Sequence, residues 1–122
     1  MKEVLFKLDV DCGRSGSLEG VFISTQEKVD YLIKSKIKVY FGEVLGKHSE
    51  IYGSIEPKEI IRITDDENVI KIVSDFNLCS GFDPFNYMAI GLDAEFEDMY
   101  VSEIVDILME REQNKTDENT NS

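Results

Sequence analysis

Residues 3–11, EVLFKLDVD, alternate between apolar and polar side chains, and that period of two makes the chain begin with a strand. Val4, Phe6, Leu8 and Val10 point one way, while Lys7, Asp9 and Asp11 point the other. One face is therefore built for burial and one for water. Such a strand is not stable alone and needs further strands and an apolar layer against its inner face.

The rest of the chain supplies both. CGRSGSLEG, with three glycines and two serines in nine residues, reads as a loop or wide hairpin connection, and VFIS as a second strand. Ser24, with Glu27 three residues later, predicts a capping box for a helix whose core stripe is Val29, Leu32 and Ile33. KIKVYFGEVL predicts a third strand with Ile37, Val39 and Phe41 inward. GKHSE turns the chain, IYGSI is a fourth strand ended by Pro57, and EIIRIT is a fifth. Thr64 and Glu67 predict a second capping box and a short helix along Val69, Ile70 and Val73. NLCSGFDPFNY is an aromatic loop rich in turn formers. AEFEDMYVSEIVDILMERE then places Phe96, Tyr100, Ile104 and Leu108 at four-residue steps beside Val101 and Val105. That spacing predicts a long amphipathic helix with an acidic outer face. NKTDENTNS carries no apolar residue and reads as a disordered tail. The expected architecture is α+β: a single domain over residues 1–113, with a mostly antiparallel sheet, two shorter helices and a longer amphipathic C-terminal helix, followed by the tail at 114–122.

At 122 residues with 42% hydrophobic content, one domain has enough material for a core. The net charge of −12 argues against binding duplex DNA or an anionic membrane through a general basic surface. It leaves open a basic partner, or a small anion held in a local positive pocket. Cys12 and Cys79 fit no metal spacing and read as reduced core thiols. No apolar run approaches the roughly 20 residues that span a bilayer, and MKEVLFKLD has charges where a secretion signal needs apolar residues, so a cytoplasmic protein is expected. No metal site and no cofactor are implied.

Three segments carry candidate binding residues. Arg14 lies in a glycine-rich connection whose backbone N–H groups can converge on an anion, although the spacing matches neither a P-loop nor a dinucleotide fingerprint. Lys47, His48 and Ser49 offer three donor-capable side chains in a row, at a position that serves equally as a plain hairpin tip. Phe82, Asp83, Phe85 and Asn86 surround Pro84. There the rings can stack a base while Asp83 or Asn86 reads its edge, or else the rings fold back to plug the core. A lone histidine with no identifiable nucleophile is a poor basis for catalysis, so binding is expected and an enzyme is not. The acidic C-terminal helix offers a second function: its carboxylates can mimic a nucleic-acid backbone, and its apolar stripe can serve a dimer interface.

LFKLDVDCGRSGSLEGVFIS, VYFGEVLGKHSEIYG and SGFDPFNY together resemble the first Thoeris anti-defence family of phage and prophage proteins, over roughly residues 3 to 112. The resemblance implies a non-enzymatic sponge that binds cyclic ADP-ribose-type signals made by a TIR-domain enzyme and sequesters them uncleaved. It also implies a link to cyclic oligonucleotide signals at a separate site, and a homodimer or higher homo-oligomer with ligand near subunit contacts. The chain has only Arg14, Arg62 and Arg111, so backbone N–H groups and Lys47 would carry much of the phosphate contact. The expected ligand is a cyclic ADP-ribose isomer, captured by Arg14, Lys47, His48, Ser49, Phe82, Asp83, Phe85 and Asn86. The alternative is an acidic DNA-mimic inhibitor, anti-CRISPR-like, that binds a bacterial defence protein.

Overall fold

The leading alternation becomes a two-stranded ladder. The computed structural model describes residues 2–45 and 50–120. β1 (Glu3–Asp11) pairs antiparallel with β2 (Ser17–Thr25) in unbroken register from Glu3↔Thr25 to Asp11↔Ser17. Paired residues share a face, so Val4, Phe6 and Leu8 are buried together with Leu18 and Phe22. The rings of Phe6 and Phe22 stack with centroids 5.6 Å apart. β2 starts four residues before the expected VFIS, because Leu18 is an inward ladder position. The connection shrinks to a 3₁₀ turn at Gly13–Ser15, closed by Cys12 N–H donating to the Gly16 carbonyl over 2.8 Å.

α1 (Gln26–Ser35) is capped by Thr25, whose hydroxyl accepts from the Lys28 N–H at 3.2 Å. The expected cap, Ser24, is still paired with Val4 in the ladder, so the helix begins one residue later. The same competition moves the second cap. Thr64 remains in β5 (Ile60–Thr64), and Asp66 caps α2 (Glu67–Asp75) by accepting from the Asn68 and Val69 N–H groups. β5 pairs with β1, and β6 (Ser80–Gly81) pairs with β2, giving a first sheet ordered β5-β1-β2-β6. α2 joins the two outer strands of this sheet and packs against β1 on its outer face, where Leu5 and Ile70 are buried; Val69, expected in the core, is exposed.

β3 (Lys38–Gly42), β4 (Ile51–Ser54) and β7 (Met88–Ile90) form a second antiparallel sheet ordered β4-β3-β7. Within it, β7 has no counterpart in the sequence reading. The α+β class thus stands, with its antiparallel strands divided between two sheets. α3 (Val101–Thr120) packs beside α1. It starts later than the spacing of Phe96 and Tyr100 suggests. Ala94–Phe96 is a separate 3₁₀ turn, Asp98 has a left-handed φ of 62°, and Tyr100 is held in a bridge to Met88. Its backbone continues past Gln113, where the sequence reading starts a tail. Val29, Leu32, Val39, Val101, Ile104 and Val105 complete the core. Cys12 is half-buried and Cys79 exposed, so only the first behaves as a packed thiol. Among the described residues no helix is long and apolar enough to cross a membrane.

Candidate functional site

Among the described residues, those singled out from the sequence do not all share one pocket. Arg14 stands exposed on the β1–β2 turn. That turn abuts the end of β3: a methyl group on Gly16 would lie 3.9 Å from Leu45 Cδ2, so Arg14 sits beside the approach to the β3–β4 connection. Lys47, His48 and Ser49, which belong to that connection, lie outside the described residues. Phe82 packs into an aromatic cluster, edge-on to Phe41 at 6.1 Å and beside Tyr87 at the same separation, while Phe41 and Tyr87 are 4.9 Å apart. Phe85 is only 5% exposed, with its ring 6.0 Å from Phe22. Both phenylalanines therefore take the core-plugging role. Asp83 accepts from the Phe85 N–H at 2.9 Å and caps the Pro84–Asn86 turn. Asn86 is exposed on a groove of about 300 Å³ that Ser24, Thr25, Lys28 and Ser102 also line. That groove is at the Thr25 end of β2, and the Arg14 turn is at the Ser17 end, roughly 25 Å away along an extended strand.

Burial pushes the Asp83 carboxyl up from its ordinary range, and the hydrogen bond from Phe85 only partly offsets this. A carboxyl raised by folding contributes most to stability below its unfolded pKa and loses that contribution as pH rises through the folded value. Asp83→Asn keeps an acceptor for the Phe85 N–H and removes the titration. Its thermal midpoint should vary less with pH across the acid range than that of the wild type. Superimposable profiles would take Asp83 out of the pH response.

A different surface gathers chemistry. Residues paired across β4, β3 and β7 put Tyr52, Tyr40 and Met88 in one row, and the Met88↔Tyr100 bridge adds a fourth member. Val39 and Phe41 turn inward, so this row faces water: Tyr52 is 55% exposed and Tyr100 46%. Tyr40 donates its hydroxyl to Glu50 Oε1 at 3.1 Å. That hydrogen bond is the main reason its phenol is held above the usual tyrosine range, with desolvation and the charges of Glu50 and Glu43 adding to it. Beside the row, Tyr40, Met88 and Ile90 line a cleft of about 360 Å³ together with Asp93, Glu97 and Asp98. Lys38 lies one row away on the same face of β3, and its stem reaches Gly91 at the rim.

No family model, curated protein or solved structure matches this chain.

The tyrosine face was readable in part. In KVYFG, Tyr40 is out of phase with inward Val39 and Phe41, so the period of two already turns it outward. What the sequence does not show is that Tyr52, Met88 and Tyr100 line up with it, because that depends on strand register. Of the other arginines, Arg62 bonds Gln26 and Asp65, and Arg111 forms a bidentate pair with Glu95 at 2.9 and 3.0 Å over the Phe96 ring. Both are engaged within the chain.

Proposed function

We propose that this chain is a non-catalytic binding protein that captures a compact nucleotide on the tyrosine face of its second sheet. The observation that carries the reading is the Tyr52–Tyr40–Met88–Tyr100 row beside a cleft, half-buried at Tyr40 and exposed at its other three members. Flat rings held by a sheet can stack a base, each stacked base contributing about 1–3 kcal/mol. Carboxylates of Asp93, Glu97 and Asp98 suit exocyclic amines or ribose hydroxyls, and Lys38 supplies a cation at the rim. A net charge of −12 opposes a long polyanion far more than a ligand with one or two phosphates. These features fit the cyclic ADP-ribose-type sponge implied by the resemblance to the Thoeris anti-defence family, acting in the cytoplasm of an infected host and moving the contacts from Phe82 and Phe85 to the tyrosines. The acidic face of α3 supports the DNA-mimic alternative less well, since Asp106 is paired with Lys28 at 3.0 Å.

The test is a thermal-shift and calorimetric panel of cyclic ADP-ribose isomers, cyclic di- and trinucleotides, NAD and ADP-ribose. One cyclic nucleotide should raise the midpoint and be recovered intact after heat denaturation. Tyr40→Ala and Tyr52→Ala should each weaken it by about 10- to 100-fold without lowering the unliganded midpoint much. A flat panel, or binding indifferent to both substitutions, overturns the site; converted ligand overturns the non-catalytic reading.

A further inference from the structure

β1 covers one side of β2 along its whole length, but among the described residues β6 pairs with the other side only at Gly20 and Val21. On that second side the Glu19 carbonyl accepts from the Phe82 N–H at 3.1 Å. Main-chain groups turn to alternate sides along an antiparallel strand, so Val21, Ile23 and Thr25 direct theirs the same way. β6 takes up Val21, while Ile23 and Thr25 lie beyond its end. A groove of about 300 Å³ opens there. Ile23 pairs with Leu5 on the outer face of the sheet and Ser24 with Val4 on the inner face, yet both line this one groove. It therefore runs along the edge of the strand and not over either face. Native sheets blunt such an edge with lysine, proline or a bulge. Ile23, Ser24 and Thr25 do none of this, and the β1–β2 register beside them is unbroken.

We infer that this edge is a docking site for an extended peptide segment bearing lysine or arginine, which adds to β2 beyond the end of β6. Three observations select that occupant. The main-chain groups of Ile23 and Thr25 repeat at the spacing of a strand, and an extended chain offers donors and acceptors in the same pattern. From Ile23 to Thr25 the edge runs roughly 7–10 Å, room for about three residues. Beside it, Ser24, Ser102 and Asn86 supply short polar side chains that hydrogen-bond main chain, with Asn86 able to donate and accept at once. Charge completes the choice. Glu3 and Asp83 line the groove, while Lys28, the cation that lines it with them, is paired with Asp106 at 3.0 Å. The groove is thus left negative in a chain of net charge −12, so it draws a basic segment and repels an acidic one. An ammonium or guanidinium beside Asp83 would bring an opposite charge to a carboxyl whose ionised form burial disfavours.

The site is separate from the tyrosine face and is tested without nucleotide. The probe is a pentapeptide alternating valine and lysine, acetylated and amidated at its ends, titrated into the isotopically labelled full chain and followed by NMR. The Ile23 and Thr25 amides and the Asn86 side-chain amide should shift, and hydrogen exchange at the Ile23 N–H should slow by about tenfold or more. Added salt should weaken binding. A valine–glutamate counterpart should not bind, and the lysine peptide methylated on its backbone nitrogens should bind at least about tenfold more weakly. Asn86 is exposed, so Asn86→Ala should keep the thermal midpoint while weakening the lysine peptide by about 2- to 10-fold. Ile23→Pro removes an N–H that faces away from β1 and should abolish binding. Where that variant fails to fold, the methylated peptide removes the same hydrogen bonds from the ligand's side. Tyr40→Ala should leave peptide binding unchanged, which separates this site from the nucleotide one. No shift with roughly 1 mM lysine peptide overturns the proposal. So does equal binding of the acidic peptide, or of the methylated one, which would give the groove to a cation of another kind.

Discussion

Gly20→Ala should destabilise the protein by about 3 kcal/mol and lower its thermal midpoint by roughly 10–15 °C. The backbone conformation of Gly20 is not the cause. Its α-carbon lies directly beneath the chain where β6 ends: a methyl there would come within 2.1 Å of the Phe82 carbonyl oxygen and 2.3 Å of its nitrogen. Those are main-chain atoms and cannot swing aside. The contact is reciprocal, because Gly81, the ladder partner of Gly20, would push a methyl to 2.2 Å from the Glu19 carbonyl oxygen. Phe82 N–H donates to that same oxygen at 3.1 Å, so separating the strands to make room would also cost a hydrogen bond. The control is Gly13→Ala. Gly13 has a φ of 66° but nothing within 4 Å, so only the left-handed backbone opposes the change and about 1 kcal/mol is expected. Chemical denaturation of both variants measures the difference. Equal losses would show that the β2–β6 approach is softer than these distances imply.

Phe85→Ala should cost about 3–5 kcal/mol, the range for deleting a buried aromatic ring and leaving part of its volume empty. The ring sits behind buried Pro84 and against Phe22, which in turn stacks on Phe6, so three elements lose packing at once. The denaturation midpoint should fall while the slope with denaturant stays constant, the mark of a change in stability rather than in the unfolded chain. A Phe85 that stacked on ligand at the surface would behave in the opposite way, with near-normal stability and lost binding. One pair of measurements separates the two roles.

That contrast also shows what was legible in the sequence. Period-two alternation located β1 and the inward residues of β3, since a strand's side chains point according to position alone. Helix spacing found α1, α2 and most of α3 for the same reason. The errors share another cause. Ser24 and Thr64 are good caps by local chemistry, but each is still paired with β1 in a ladder. Val69 and Ile70 are equally apolar, and only the position of β1 decides which is buried. Phe82 and Phe85 stand in a turn-rich loop, and local composition places them near water. Asp83 caps a turn that folds Phe85 back onto a strand more than sixty residues earlier in the chain. The tyrosine face follows the same logic: one member was marked by phase, and the other three were brought beside it by register.

The composition of that face makes the protein its own indicator. There is no tryptophan, and three of the five tyrosines, Tyr40, Tyr52 and Tyr100, belong to the exposed row. The near-ultraviolet absorbance and intrinsic fluorescence of the unlabelled chain therefore come largely from the surface on which ligand is proposed to stack. Tyr31 and Tyr87 contribute a background from elsewhere that single Phe substitutions can subtract. Occupancy of the site can accordingly be followed optically in solution, with no dye or engineered reporter on the molecule.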